Sequence, residues 1–360
     1  MEITFYQSEC GDAAKLSFLG NDNEIHNIFI DSGYERTFRD IIKKEIIELT
    51  HKNEKIDYWI ISHIHDDHIG GVKKYIDYIK DGEMEDIVSN WIYNAPRFYK
   101  ADSSDSFLVS NAKSIGQGDI LYNYLKSIGK MEVIDYITDS KSINVAGLNI
   151  TFLSPTIAKL KDLRNKYNIS KMEAFESIED DSISEAVGIV KNDYQTKIFD
   201  FSLKDWKEDD NIENGSSISF ITEIDGKNIL WLADSHPSDV VESLINIGYS
   251  SKNKIKCDWV KVAHHGSKGN NNNELFDLIE CSNYLFSANG ENRSKLPTKE
   301  CIARILRNKN RNLKNRYKLY FTYDNDTLQS IFQSEEDTIY NDLNFEVIFS
   351  KENLSKFNLF

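Results

Sequence analysis

Between Ser62 and Gly71 the chain reads Ser-His-Ile-His-Asp-Asp-His-Ile-Gly-Gly, which puts three imidazoles and two carboxylates into the six residues from His63 to His68. No other stretch restricts the fold as strongly. The apolar run Tyr58 to Ile61 predicts a strand, so the cluster sits in a polar loop at that strand's end. In an extended loop residues i and i+2 point to the same side. His63 and His65 can therefore converge on one cation, while a turn at Asp66 lets Asp67 and His68 face a second one nearby. Gly70 and Gly71 would permit a sharp turn into the next helix.

The chain has eight histidines, and five of them fall in two motifs. The second motif, Ala263-His264-His265-Gly266-Ser267, again follows an apolar strand, Trp259 to Val262. Between the two motifs lies Leu232-Ala233-Asp234-Ser235-His236-Pro237, an acid at a strand's end. Such a carboxylate can bridge two metals, or simply cap the helix expected from Pro237.

Around these motifs the pattern alternates strands and helices. Glu2 to Gln7, Ala13 to Phe18 and Asn27 to Ile30 read as strands, Arg36 to Thr50 and Val72 to Ile79 as helices, and Gly116 to Gly129 as a helix around Leu121 and Leu125. Strands are expected at Val133 to Ile137 and Leu148 to Leu153. Ser217 to Ile224 and Lys227 to Leu232 read as a hairpin through Asp225-Gly226. The stretch 156–214 is poor in apolar residues and acid-rich at Ser177 to Glu185 and Lys207 to Glu213, so it reads as an insertion packed on the edge of the fold or a partly mobile flap. Strands then helices in each half suggest two β-sheets face to face with helices outside, an α/β architecture.

Charge and composition remove several classes. With 43 Lys+Arg against 58 Asp+Glu the net charge is −15, which argues against a surface coated in nucleic acid. One local exception stands out. Arg304, Arg307, Lys309, Arg311, Lys314, Arg316 and Lys318 lie close together without an acid, a stripe that either tracks a nucleic-acid backbone or balances the acidic insertion. No stretch approaches the ~18 to 20 apolar residues of a membrane span, and Met1-Glu2-Ile3-Thr4 does not start a signal peptide, so a cytoplasmic protein without membrane contact is expected. Cys10, Cys257, Cys281 and Cys301 show no C-x-x-C spacing and are expected as reduced, mostly buried thiols.

The sequence resembles the metallo-β-lactamase-fold hydrolases, whose H-x-H-x-D-H signature is matched by His63, His65, Asp67 and His68. Within them it is most similar to soluble relatives of the hydrolase domain of the competence protein ComEC. Cys10-Gly11-Asp12-Ala13, Phe29-Ile30-Asp31-Ser32-Gly33, Asn214-Gly215-Ser216-Ser217-Ile218-Ser219, Leu232-Ala233-Asp234, Lys261 to Ser267 and Phe286-Ser287-Ala288-Asn289-Gly290 support this, in the family's order. The resemblance implies a four-layer αββα sandwich with a central insertion: one domain over 1–330, with 156–214 inserted and 331–360 packed on it as a C-terminal extension. It implies two divalent cations, with His63 and His65 on the first, Asp67 and His68 on the second, and Asp234 bridging. The last ligand comes from His264-His265. Related motifs place it just before a glycine, which favours His265 and leaves His264 beside the site or as a proton donor. Asp31 would support the histidine loop, a role compatible with its place in a turn.

Two departures matter. No histidine occurs from Ile69 to Ser235, where many relatives supply a third imidazole to the first metal, so that site is expected to be harder, with water or an oxygen from Asn214 to Ser217. Zn²⁺ leads and Mn²⁺ becomes realistic. Lys295-Leu296-Pro297 stands where ComEC-like domains tend to carry a histidine before the proline. Asp67 is the expected group to orient the water or take its proton, and Ser267, Lys268, Asn289 and Arg293 are suited to holding phosphate oxygens. The expected activity is a metal-dependent phosphodiesterase or nuclease acting on DNA. The alternatives are hydrolysis of a small ester, lactone or cyclic nucleotide, and a non-catalytic metal-binding partner in a larger protein assembly.

Overall fold

The computed structural model describes residues 1–96, 113–130, 136–167 and 191–359. The described strands, in chain order, are β1 (Glu2–Tyr6), β2 (Ala14–Leu19), β3 (Ile25–Ile30), β4 (Ile56–Ile61), β5 (Val88–Tyr93), β6 (Ser142–Val145), β7 (Leu148–Ser154), β8 (Ser219–Ile224), β9 (Lys227–Trp231), β10 (Ile255–Lys256), β11 (Trp259–Lys261), β12 (Ile279–Glu280), β13 (Asn283–Phe286), β14 (Tyr317–Phe321), β15 (Phe345–Phe349) and β16 (Leu354–Asn358). They form a six-stranded sheet, β16-β1-β2-β3-β4-β5, an eight-stranded sheet, β15-β14-β13-β11-β9-β8-β7-β6, and a small parallel pair, β10-β12.

Strand alternation decides the layering. Along β3 and β4, Ile28, Ile30 and Ile60 point into the core between the sheets, with Phe5, Phe152, Phe220 and Trp231. Phe29, Trp59 and Ile61 point the other way, onto helix residues Phe38, Ile46, Tyr75 and Leu121. In β9, Ile229 and Trp231 face inward while Leu230 packs outward against Val240, Leu244 and Ile302. Strands apolar on both faces need cover on both, which gives an αββα sandwich. The Asp225-Gly226 turn joins β8 to β9 with φ of 49° and 73°, the left-handed geometry of a tight hairpin.

Several expectations shift in detail. The helix expected from Val72 begins at Asp66 and runs to Lys80, so Asp67 and His68 lie on its first turn. Gly70 and Gly71 therefore sit inside a helix and make no turn. A Cβ on Gly71 would come 2.5 Å from Ser32 O, so their small size lets this helix rest on the Asp31–Gly33 loop. The segment expected as an extension from residue 331 is woven into the sandwich over residues 331–359, because β15 extends the larger sheet beside β14 and β16 pairs with β1. The strand expected at Val133 to Ile137 and the acidic run Ser177 to Glu185 lie wholly or largely outside the described residues. All four cysteines are free thiols, Cys281 and Cys301 buried and Cys10 and Cys257 partly so. No helix among the described residues is long and apolar enough to cross a membrane.

Candidate metal centre

The site collects at the carboxyl ends of parallel strands from both sheets. Asp31 follows β3, His63 follows β4, Asp234 follows β9, His264 and His265 follow β11, and Ser287 follows β13. Asp31, Ala233, His264 and His265 have φ of 54°, 44°, 44° and 52°. Left-handed non-glycine residues cost energy, and their concentration at these strand ends marks a place where side-chain direction outweighs local strain.

Asp234 lies at the centre, 1% exposed. Its Oδ1 faces His68 Nε2 at 3.4 Å and His265 Nε2 at 3.7 Å, and its Oδ2 faces His63 Nε2 at 3.8 Å and His264 Nε2 at 3.6 Å. Asp67 Oδ2 lies 3.3 Å from His265 Nε2 and 3.7 Å from His68 Nε2. His65 Nδ1 lies 3.1 Å from His63 Nε2. Among the described residues three groups can hold a metal ion: Asp67-His68-Asp234-His265 and His63-His65-Asp234, which share Asp234, and Asp12-Asp31-His68, which shares His68 with the first.

The surrounding hydrogen bonds fix which imidazole nitrogen faces the carboxylate. His68 Nδ1 donates to Asp31 Oδ2 at 2.8 Å, and His265 Nδ1 donates to Ser287 O at 2.9 Å. Ser62 Oγ donates to Asp31 Oδ2 and so accepts from His63 Nδ1 at 3.1 Å. Each ring is thus held through Nδ1, and Nε2 is the inward atom. His68 Nε2, His265 Nε2 and Asp234 Oδ1 are buried without a hydrogen-bond partner. Separations of 3.4 to 3.8 Å are too long for hydrogen bonds and suit donors arranged around a cation, so the residues fit the divalent metals that this site implies.

The electrostatics agree. Burial opposes charge on Asp12, Asp67 and Asp234, yet neighbouring imidazoles, and Lys261 beside Asp12, hold these carboxyls below the usual range. Against the effect of burial, the carboxylates raise His68 well above its ordinary value and push His265 up to about 9. On the other side burial, with His68 and His65, drives His63 well below its ordinary value. Burial likewise lowers His65 and raises Asp31. The carboxylates on the Asp67 side therefore favour positive charge between them, as a cation position requires.

Ser267 caps the turn after the histidine pair, its Oγ accepting from Gly269 N, and the exposed Lys268 pairs with Glu300 at 3.3 Å. Asn289 lines a polar cavity of about 400 Å³ with Gln7, Glu9, Arg36 and Tyr323, while Arg293 is exposed on the following loop. His236 is buried before the helix Pro237–Asn246, its Nε2 donating to Asn211 O at 3.0 Å. Lys295 lies on the loop before Pro297, a residue that packs under Gly266.

Sequence reasoning gave no role to Asp12, Lys261, Ser62, Asp209 or Asn270. Asp12 is buried against Lys261, with its Oδ1 3.4 Å from His265 Nδ1. A lysine in the apolar strand Trp259 to Val262 was a readable signal, since a buried ammonium needs a paired acid. The basic stripe is divided: Lys309, Lys314 and Arg316 are exposed, whereas Arg304, Arg307 and Arg311 turn inward. Arg304 is 1% exposed, donating to Leu203 O, Asp205 O and Glu300 Oε1. Arg307 clamps Ile198 O and Phe201 O, and Arg311 is buried against Leu306 O and Asn344 O. These guanidiniums tie residues 198–205 and the C-terminal strands to the body of the protein.

Residues 22–85, which carry the first histidine cluster, match the family described as the Metallo-beta-lactamase superfamily. That superfamily consists mostly of hydrolases that bind divalent metals. Similar solved structures include a mutant CmlA beta-hydroxylase (11% identity over 99% of this chain and 54% of that one, TM-score 0.37) and the metallo-beta-lactamase fold protein YhfI from Bacillus subtilis (10% identity, 99% and 100%, TM-score 0.38). A third is the long form of RNase Z from yeast, with 14% identity, 99% and 41% coverage and a TM-score of 0.40. The chain thus spans about half the length of the CmlA structure. No curated protein matches it.

Proposed function

We propose that this protein is a two-cation hydrolase that cleaves phosphodiesters, with DNA as the leading substrate. One observation carries the two-cation reading: the two oxygens of Asp234 each face a separate group of histidines. His63, His65 and Asp234 would hold one cation, and Asp67, His68, Asp234 and His265 the other. Zn²⁺ leads and Mn²⁺ follows. When bound, the pair lowers the pKa of a water and stabilises charge on the attacked centre.

The protein's own groups orient the reaction. The Asp67 side chain is 21% exposed, unlike the buried Asp234, so it is the carboxylate placed to accept a proton from the entering water. Asp31 and Ser287 hold the His68 and His265 rings, and Asp12 with Lys261 keeps a compensated charge behind them.

The choice of phosphodiester rests on the ComEC-like motifs and on Ser267, Lys268, Asn289 and Arg293, which lie near the motifs in sequence. A second reading, a small ester, lactone or cyclic nucleotide, is favoured by the internal position of Arg304, Arg307 and Arg311, which leaves less cationic surface for a long polyanion. Both are tested by loading stripped wild type and Asp67→Ala with Zn²⁺ or Mn²⁺. Each form is assayed on labelled single- and double-stranded DNA, bis(p-nitrophenyl) phosphate, a cyclic nucleotide and a simple lactone. DNA cleavage lost in Asp67→Ala supports the nuclease, turnover of small substrates alone supports the second reading, and no turnover of any overturns both.

A further inference from the structure

Asn270 determines which nitrogen of His264 carries hydrogen. Its Nδ2 donates to Asp209 Oδ2 and to Asp234 O, each at 3.0 Å, so the amide has one orientation, and its Oδ1 faces His264 Nδ1 at 2.8 Å. An amide oxygen only accepts, so Nδ1 is the donor and Nε2 is the ring nitrogen left to ligate. That atom lies 3.6 Å from Asp234 Oδ2, the same oxygen that faces His63 Nε2. That distance is too long for a hydrogen bond. A shared cation accounts for the spacing. Two donors on one tetrahedral Zn²⁺, each at ~2.1 Å, lie roughly 3.4 Å apart.

The backbone directs both histidines at this carboxylate. Successive residues of a continuing strand would point to opposite sides. Instead His264 (φ 44°, ψ 55°) and His265 (φ 52°, ψ 21°) are both left-handed, and their Nε2 atoms face the two different oxygens of Asp234. Two consecutive non-glycine residues in that region are strained, and Asn270, itself fully buried, locks the first ring in place.

We infer that His264 is the third imidazole of the first cation position, with His63, His65 and Asp234, in place of the histidine that the stretch from Ile69 to Ser235 lacks. The inference rests on the two-cation reading above. It makes the first position nitrogen-rich, which favours Zn²⁺ over Mn²⁺, and it commits Nε2, so that His264 is not a proton donor.

The test is metal binding. Stripped wild type, His264→Ala and the size-conserving His264→Gln are titrated with Zn²⁺ against a chromophoric chelator and, separately, with Co²⁺ followed by its visible absorption. The wild type is expected to take two cations. Each variant should keep one tightly and bind the other at least about tenfold more weakly, with an altered Co²⁺ spectrum, while the metal-free proteins keep the wild-type thermal midpoint. Two cations at wild-type affinity with an unchanged spectrum in both variants would overturn the assignment and leave the two-cation reading standing. A wild type that takes fewer than two would overturn that reading and the assignment with it.

Discussion

His68 Nδ1 donates to Asp31 Oδ2 across 2.8 Å, while the same carboxylate receives the Ser62 backbone N–H at 2.7 Å and the Ser62 hydroxyl at 2.8 Å. One buried acid therefore ties the end of β4 to the first turn of the next helix and turns His68 Nε2 toward Asp234. Asp31 sits at φ 54°, a conformation asparagine tolerates better than alanine, so Asp31→Asn is the cleaner probe. It should lower affinity for the second cation about 10- to 100-fold with the fold intact, as read by Zn²⁺ competition and circular dichroism.

Lys261 and Asp12 are 4% and 6% exposed and form a direct ion pair behind His265. Removing one partner of a buried pair leaves an uncompensated charge, so Lys261→Met should destabilise the metal-free protein by about 3 to 5 kcal/mol. The double change Lys261→Met with Asp12→Asn should recover part of that loss. Denaturant melts of the four proteins measure the coupling; strict additivity would rule out the pairing.

Arg304 is an internal clamp, so Arg304→Ala should cost about 2 to 4 kcal/mol in a denaturant melt through the stranded Leu203 and Asp205 carbonyls and the unpaired Glu300. The exposed Lys309 and Lys314 should behave oppositely. Changing them to alanine should leave stability within about 0.5 kcal/mol. A reduced salt dependence of DNA binding in Arg304→Ala at unchanged fold would contradict the clamp.

Asp239 lies in the first turn of the helix Pro237–Asn246, and burial, with Glu208, Glu242 and Asp139, raises its carboxyl to about 6 against the pull of Lys159. The unfolded chain releases this proton near pH 4, so between about pH 4 and 6 the folded state binds more protons and stability falls as pH rises. Asp239→Asn should flatten that slope and stabilise at pH 7 by about 1 kcal/mol after allowance for partial solvent screening. Thermal melts at pH 4, 5, 6 and 7 decide it; parallel curves for the two proteins would refute the assignment.

How much was legible in the sequence differs from element to element. The hairpin at Asp225-Gly226, the strands flanking each motif and the helix through Leu121 and Leu125 follow from local pattern and turn chemistry, and they stand where expected. The reading of Gly70-Gly71 as a turn failed because the reason for both glycines is a contact with Ser32 and Tyr34, distant in sequence. The inward turn of Arg304, Arg307 and Arg311 was hidden for a similar reason. Spacing between arginines says nothing about the backbone carbonyls of residues 198–205 that they meet in the fold.

The type of side chains gathered at the centre was readable locally, because the spacing from His63 to His68, the pair His264-His265 and an acid after β9 are local facts, and side-chain direction follows from local backbone. How these groups meet depends on the folded arrangement. Which oxygen of Asp234 each ring faces, that Asp31 and Ser287 orient His68 and His265, that Asp12 needs Lys261, and that Asn270 turns His264 inward all depend on atoms brought together from both sheets. Hydrogen bonds and Coulomb forces at a buried centre act over a few ångströms between residues far apart in the chain, and sequence spacing carries no measure of those distances.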